Sequence, residues 1–109
     1  MRILAKPEVL EYLDSLVDIL FEKSYFSYVE DALDYVDELR YDIKTKLHTK
    51  LHKPAPKRFD IYGKDMEYAV FKKNRQTTWY VFFTKYLEKG EEIYLIRHIE
   101  NNHTAAQYL

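Results

Sequence analysis

The side chains best equipped for chemistry gather near the carboxyl end, where Ile93-Tyr-Leu-Ile-Arg-His-Ile-Glu-Asn-Asn-His103 brings Arg97, His98, Asn101, Asn102 and His103 together. Guanidinium and imidazole groups bind phosphate and move protons near neutral pH, and amide side chains orient polar ligands. The upstream run Asn74-Arg-Gln-Thr-Thr-Trp-Tyr-Val-Phe-Phe83 contributes Arg75, next to Lys72 and Lys73. Both runs are rich in β-branched and aromatic residues, so they predict two strands forming a rigid platform with the polar groups on or just past its end. An ordinary polar strand terminus has the same composition.

Strand geometry sorts these candidates. Arg97 and His98 are consecutive, so in a regular strand they point to opposite faces. Ile93, Leu95 and Ile99 share parity with Arg97 and are expected to meet the helices; His98 then shares the open face with Tyr94 and Ile96. On this reading Arg97 snorkels outward from the strand end, and His98 is a surface or core-edge residue. His103 is the better candidate for proton transfer. It would sit in the first turn of a short terminal helix, capped by Asn101 or Asn102 and running through Gln107, where it reads equally well as an ordinary polar helix-start residue. Tyr108 could reach back over the sheet. His48 and His52 share a helix face at metal-pair spacing but lack a third ligand, so no metal site is expected, and both are expected to face solvent or phosphate.

The chain of 109 residues is long enough for one domain spanning 1–109 with a sizeable core. It has no cysteine, which excludes disulfides, thiolate zinc sites and thiol nucleophiles. With only Gly63 and Gly90 there is no phosphate-cradling glycine loop, and no serine stands in a nucleophile-elbow pattern. The start Met-Arg-Ile-Leu-Ala-Lys-Pro has too few apolar residues for an export signal, and no run approaches membrane-spanning length, so a cytoplasmic protein without membrane contact is expected. Asn102-His103-Thr104 then matches the glycosylation sequon by accident.

The net charge of −1 hides a separation. Residues 1–46 carry six Lys/Arg against eleven Asp/Glu, and residues 47–109 carry eleven against seven. Lys44, Lys46, Lys50, Lys53, Lys57 and Arg58 follow one another with no acid between them. That is either a strip facing phosphate or a helix end, where cations complement the helix dipole, followed by a solvated loop.

The elements that must position these groups are legible in the spacing. Ile3 to Ala5 predicts a short strand, and Pro7 suits a first helical turn. Val9, Leu10, Leu13, Leu16, Val17, Leu20 and Phe21 recur at helical intervals, as do Val29, Ala32, Leu33, Val36, Leu39 or Arg40, Ile43 and Leu47. Ser27 and Glu30 have the form of a capping box between them. The short connection predicts an antiparallel helix hairpin. Lys53-Pro-Ala-Pro-Lys-Arg58 ends helical structure. The period then becomes strand-like around Met66 to Phe71, Thr77 to Thr84 and Glu92 to Ile99, with turns at Lys72–Gln76 and Glu88–Glu91. The expected fold is α+β: an N-terminal strand and helix hairpin packed on an antiparallel β-meander, followed by a short C-terminal helix.

This order, with Tyr62-Gly63 before a strand, Met66-Glu-Tyr-Ala-Val-Phe71 and the two runs quoted above, resembles the RelE/ParE superfamily of toxins from bacterial type II toxin–antitoxin systems, over nearly the whole chain. The resemblance implies a cognate antitoxin as partner. It also implies one of two activities: metal-independent cleavage of mRNA on the ribosome, as in RelE-like members, or poisoning of DNA gyrase, as in ParE-like members. A non-catalytic antitoxin-binding module is a third reading. Aligned on the last strand, Tyr108 falls where RelE has its tyrosine, while Asn102 and Thr104 stand where RelE has arginines. A histidine after the last strand is similar to YafQ- and HigB-like nucleases. For a ribonuclease the resemblance then implies His103 in proton transfer, with Arg75, Lys73 and Arg97 on the phosphate and Tyr108 on a base. Lys50, Lys53, Lys57, Arg58, Lys72 and Asn102 would hold RNA, with no metal or other cofactor.

Overall fold

The computed structural model describes residues 1–103. β1 (Arg2–Ala5) leads into α1 (Pro7–Glu22) and α2 (Val29–Lys46). A 3-10 turn at Leu47–Thr49, the two-residue β2 (Lys53–Pro54) and a second 3-10 turn at Lys57–Ile61 follow. The chain closes with β3 (Glu67–Lys72), β4 (Thr78–Glu88) and β5 (Glu91–Asn101). One mixed sheet results, in the order β1-β5-β4-β3-β2, with β1 parallel to β5 and every other pair antiparallel. The α+β architecture is the one expected. The terminal helix expected through Gln107 lies outside the described residues.

Both helices lay an apolar stripe on one face of the sheet. Val9, Leu13 and Leu16 of α1 and Val36, Leu39 and Ile43 of α2 meet Ala69, Phe71, Trp79, Val81, Phe83, Tyr94, Ile96 and Ile99. Each large side chain so buried contributes about 1.5–3 kcal/mol. The stripes are narrower than the sequence spacing suggests: Leu10, Phe21, Val29 and Leu33 stay exposed, because a helix on a sheet buries only the residues directly beneath it. Arg40 joins Asp14 at 2.5 Å across the two helices.

The hairpin connection is built differently from the expected capping box. α2 begins with Tyr28 as its cap residue and no side-chain cap bond, so Ser27 lies one position too early for its hydroxyl to serve. Glu30 and Asp31 in the first turn complement the helix dipole instead. α1 stops because Ser24 adopts a left-handed φ of 61°. The amides of Ser24 and Tyr25 then donate back to Phe21 and Leu20, closing the last turn.

β2 was expected only as the end of helical structure. It forms an edge strand, where a proline costs no ladder hydrogen bond. β4 and β5 are longer than the alternating pattern indicates because Lys89 (φ 50°) and Gly90 (φ 78°) form a two-residue turn of the mirror-image kind, with Glu88 facing Glu91. Its twist matches the strands, so pairing continues to the turn itself.

This turn sets the register of the pair that carries the candidate site. Lys89→Asn places a residue that tolerates left-handed backbone there and should raise stability by about 0.5–1 kcal/mol, read as a higher urea midpoint; a lower midpoint would contradict the turn geometry. Tyr94 gives a second check. Burial, with the neighbouring Glu92 carboxylate, pushes its hydroxyl up to about 12. The protonated hydroxyl therefore stabilises the fold in full below pH 10, and that contribution is lost as pH rises toward 12. Tyr94→Phe should flatten the loss of stability across this window in alkaline unfolding.

Candidate functional site

The site begins with an irregularity in the pairing of β4 and β5. Phe82 faces His98 and Phe83 faces Ile96, so two consecutive residues of β4 oppose three of β5, and Arg97 is the extra one. Such a bulge resets the alternation of side chains. Ile96 and Ile99 both join the helix-side core. Arg97 and His98 both lie on the opposite face. The expectation that these neighbours point to opposite faces, with Arg97 on the side of the helices, is thereby corrected. A bulge depends on the partner strand and leaves no mark in a periodicity.

The open face is roofed by the 3-10 turn Lys57–Ile61 and the residues after it. Phe59 stacks on Phe82 with centroids 4.5 Å apart, forming a small second core with Met66 and Tyr68. Tyr62 then lies flat on the His98 imidazole, 3.6 Å away and only 6° from parallel. On the other side of the ring system, His98 Nε2 meets Glu100 Oε1 at 2.6 Å. His98 and Glu100 sit two apart on β5 and therefore share a face. Both side chains are only about one-fifth exposed, at 19% and 21%.

This pair has a defined chemical consequence. In the neutral imidazole, a carboxylate at Nε2 selects the tautomer with its proton there, leaving Nδ1 as the basic nitrogen. In the protonated imidazole, the same contact is an ion pair. A ring held by a carboxylate on one edge and an aromatic face on another is a fixed base with a defined lone-pair direction.

Arg97 completes the charge pattern. Its Nε donates to the Thr84 hydroxyl at 2.9 Å and a terminal nitrogen donates to the Tyr86 hydroxyl at 2.6 Å. Among the described residues no carboxylate pairs with it. Its positive charge is thus held in place yet uncompensated. The chain backs closely onto its stem at Gly63, where an added Cβ would come within 2.6 Å of Arg97 Cδ.

β1 stops at Ala5, and the Lys6 amide donates to the Ile96 carbonyl at 3.0 Å. Past that point the outer edge of β5 borders a cleft of about 450 Å³. Arg97, His98 and Glu100 line it on the β5 side, Ile61 and Tyr62 on the roof, and Lys6, Glu8 and Tyr12 on the side of α1. The Tyr12 hydroxyl is held above its ordinary range by burial first, and then by the Glu100 and Tyr35 side chains. It stays a hydrogen-bond donor well into alkaline conditions.

The residues singled out by the sequence do not all meet here. Arg97 lines the cleft, but His103 lies six residues further along, past the end of β5, and is exposed. His103 and the β3–β4 turn do emerge at the same end of the sheet, where Asn74, Gln76, Asn101 and His103 border a second cavity. Arg75 and Lys72 are exposed there, whereas Lys73 folds back onto α2, 3.4 Å from Glu38 and 4.8 Å over the Tyr35 ring. Asn102 is occupied structurally: its amide group accepts from Thr78 N and donates to the Gln76 carbonyl, clasping the turn. Tyr108 lies outside the described residues.

Lys53, Lys57 and Arg58 are exposed along β2 and the roofing turn, while Lys50 covers the Phe71 ring at 4.8 Å on the helix side. His52, expected to face solvent or phosphate, is half-buried instead. Its Nε2 lies 2.8 Å from the Leu47 carbonyl oxygen, and its ring packs edge-on against Phe83 and Tyr94. Among the described residues no cluster of three or more His, Asp or Glu could hold a metal ion, and no helix is long and apolar enough to cross a membrane. A scan against protein-family models and searches of curated proteins and of solved structures find no match to this chain.

The Gly63–Arg97 contact can be tested on stability. Gly63→Ala should cost about 1–3 kcal/mol by overpacking against the Arg97 stem. In an Arg97→Ala background the part of that cost due to the Arg97 stem should disappear, while the part due to the Met66 sulfur at 3.3 Å and the backbone at φ 159° remains, as measured by urea unfolding of the double-mutant cycle. Equal costs in both backgrounds would mean that Arg97 is not held where the structure places it.

Proposed function

We propose that this chain is a metal-independent endoribonuclease toxin of the RelE/ParE type, acting on mRNA at the ribosome and neutralised by a cognate antitoxin. The observation that carries the reading is the His98–Glu100 pair, fixed beneath Tyr62 at a bulge that also turns Arg97, which no carboxylate of the described residues pairs, into the same cleft. The likeness in element order and the exposed cations along Lys53 to Arg58 support it.

The chemistry follows from the groups present. His98 Nδ1 takes the proton of an RNA 2′-hydroxyl, whose oxygen attacks the adjacent phosphorus. The bond from phosphorus to the departing 5′-oxygen breaks, and the imidazolium, stabilised by Glu100, returns its proton to that oxygen. The products are a 2′,3′-cyclic phosphate and a free 5′-hydroxyl. Arg97 neutralises the crowded phosphate as negative charge builds on its oxygens. The near-neutral total charge leaves much of the RNA-holding to the ribosome. Relative to the sequence reading, the proton-transfer role moves from His103 to His98.

Induced expression in a bacterial host tests this, with mRNA ends mapped after a short pulse. The wild-type chain should arrest growth and create new ends on translated messages. His98→Ala should lose at least about 100-fold in cleavage, the usual weight of a general base. Glu100→Gln should be intermediate, and His103→Ala should lose far less than His98→Ala, with folding checked by circular dichroism. Undiminished toxicity of a folded His98→Ala variant would sink the assignment, and intact messages with blocked DNA supercoiling would replace it with the gyrase reading.

A further inference from the structure

The cavity at the other end of β5 has a composition that the cleavage chemistry does not use. It measures about 470 Å³ and lies between the second half of α1, the helix connector, the β3–β4 turn and the end of β5. Although residues 1–46 carry eleven acids, no Asp or Glu lines this cavity among the described residues, while Lys23 and His103 do. Its walls pair aromatic rings with amide side chains. Tyr25, Phe26 and Tyr35 stand on the helix side, and Asn74, Gln76 and Asn101 on the sheet side.

The fold holds these groups in place. The left-handed Ser24 turns the chain so that Tyr25 stands at the rim, 60% exposed. Phe26 packs against Tyr35 with centroids 5.5 Å apart. Tyr35 in turn accepts a hydrogen bond from the Trp79 indole at 2.9 Å and keeps its own proton to donate. The Asn74 carbonyl oxygen is taken by the amides of Gln76 and Thr77, so its NH2 group is the part left for a ligand. Rings that stack and amides that read polar edges, under a cationic rim, are the chemistry by which unpaired bases are recognised.

The cavity also neighbours the cleft at the bulge. Tyr12 and Asn101 line both, so the two lie side by side along the end of β5. Asn101 is three residues from His98, about 10 Å at the strand rise.

We propose that this second cavity is a nucleobase subsite, which seats a base of single-stranded RNA next to the phosphate in the His98 cleft. The assignment rests on the ribonuclease reading for the identity of its ligand. A purely apolar partner would leave the Asn74 and Gln76 amides and Lys23 without counterparts among the described residues.

The single tryptophan of the chain provides the readout, because the Trp79 indole N–H bonds Tyr35 inside the cavity. The four nucleoside 5′-monophosphates, ribose 5-phosphate, inorganic phosphate and a hydrophobic dye are titrated separately, following that one resonance by proton–nitrogen NMR. At least one nucleotide should move it saturably at millimolar concentration, and ribose 5-phosphate and phosphate should not. Tyr25→Ala, at an exposed rim position, should weaken that nucleotide about tenfold, as should Phe26→Ala.

No response to any nucleotide, an equal response to ribose 5-phosphate, unchanged affinity in both aromatic variants, or a response to the dye alone would overturn the subsite. Because binding is read without turnover, a saturable nucleotide response in a chain whose His98→Ala variant stays toxic would remove the cleavage reading and leave the subsite standing.

Discussion

Two antiparallel strands keep their side chains in step only while each residue of one faces one residue of the other. In this protein that condition fails once, at Arg97, and much of the molecule is arranged around the failure. Before the bulge Tyr94 and Ile96 face the helices; after it Ile99 does. The helix-side core therefore continues without a gap, while the opposite face gains two adjacent polar side chains where a regular strand would offer one. A local loss of pairing is a cost. It is offset where the Lys6 amide caps the Ile96 carbonyl, where two hydroxyls hold Arg97, and where Tyr62 stacks on His98.

The two faces of the sheet are consequently unlike in purpose. The helix hairpin provides the large apolar core and so the rigidity of β4 and β5, with Phe83 and Val81 fully buried beneath it. The other face has a thin roof of one 3-10 turn and its continuation, enough to stack Phe59 on Phe82 and Tyr62 on His98 but not enough to close the cleft. A half-roofed face lets a polar pair be oriented by packing and still be reached from solvent. The same roof begins with the exposed Lys57 and Arg58, so its basic and aromatic parts lie on one short segment.

Charge is distributed in keeping with this division. The helices carry most of the acids on their outward surface. Lys73 is drawn to Glu38 and Arg40 to Asp14, so the cations nearest the helices are occupied within the fold. Among the described residues Arg97 has hydroxyl partners only. A guanidinium bonded by neutral groups keeps its full charge for a ligand, whereas one paired with a carboxylate does not.

Much of the architecture was legible from the residues. Apolar spacing placed α1 and α2, the Pro54 and Pro56 segment ended helical structure, and alternating residues with short turns placed the meander. These features are local, because each is fixed by backbone preferences or periodicity within a few positions. The edge strand β2 and the burial of His52 were not legible, since each depends on what a distant segment offers as partner: β3 for Lys53, and Phe83 and Tyr94 for His52. The candidate site shows the same limit most clearly. By itself the sequence determined that Arg97 and His98 lie on a final strand, whose expected end at Ile99 left Glu100 outside it. That Arg97 and His98 share a face, with Glu100 in hydrogen-bond reach and Tyr62 stacked above, was decided by tertiary structure alone, because strand register is set by pairing with residues remote in the chain.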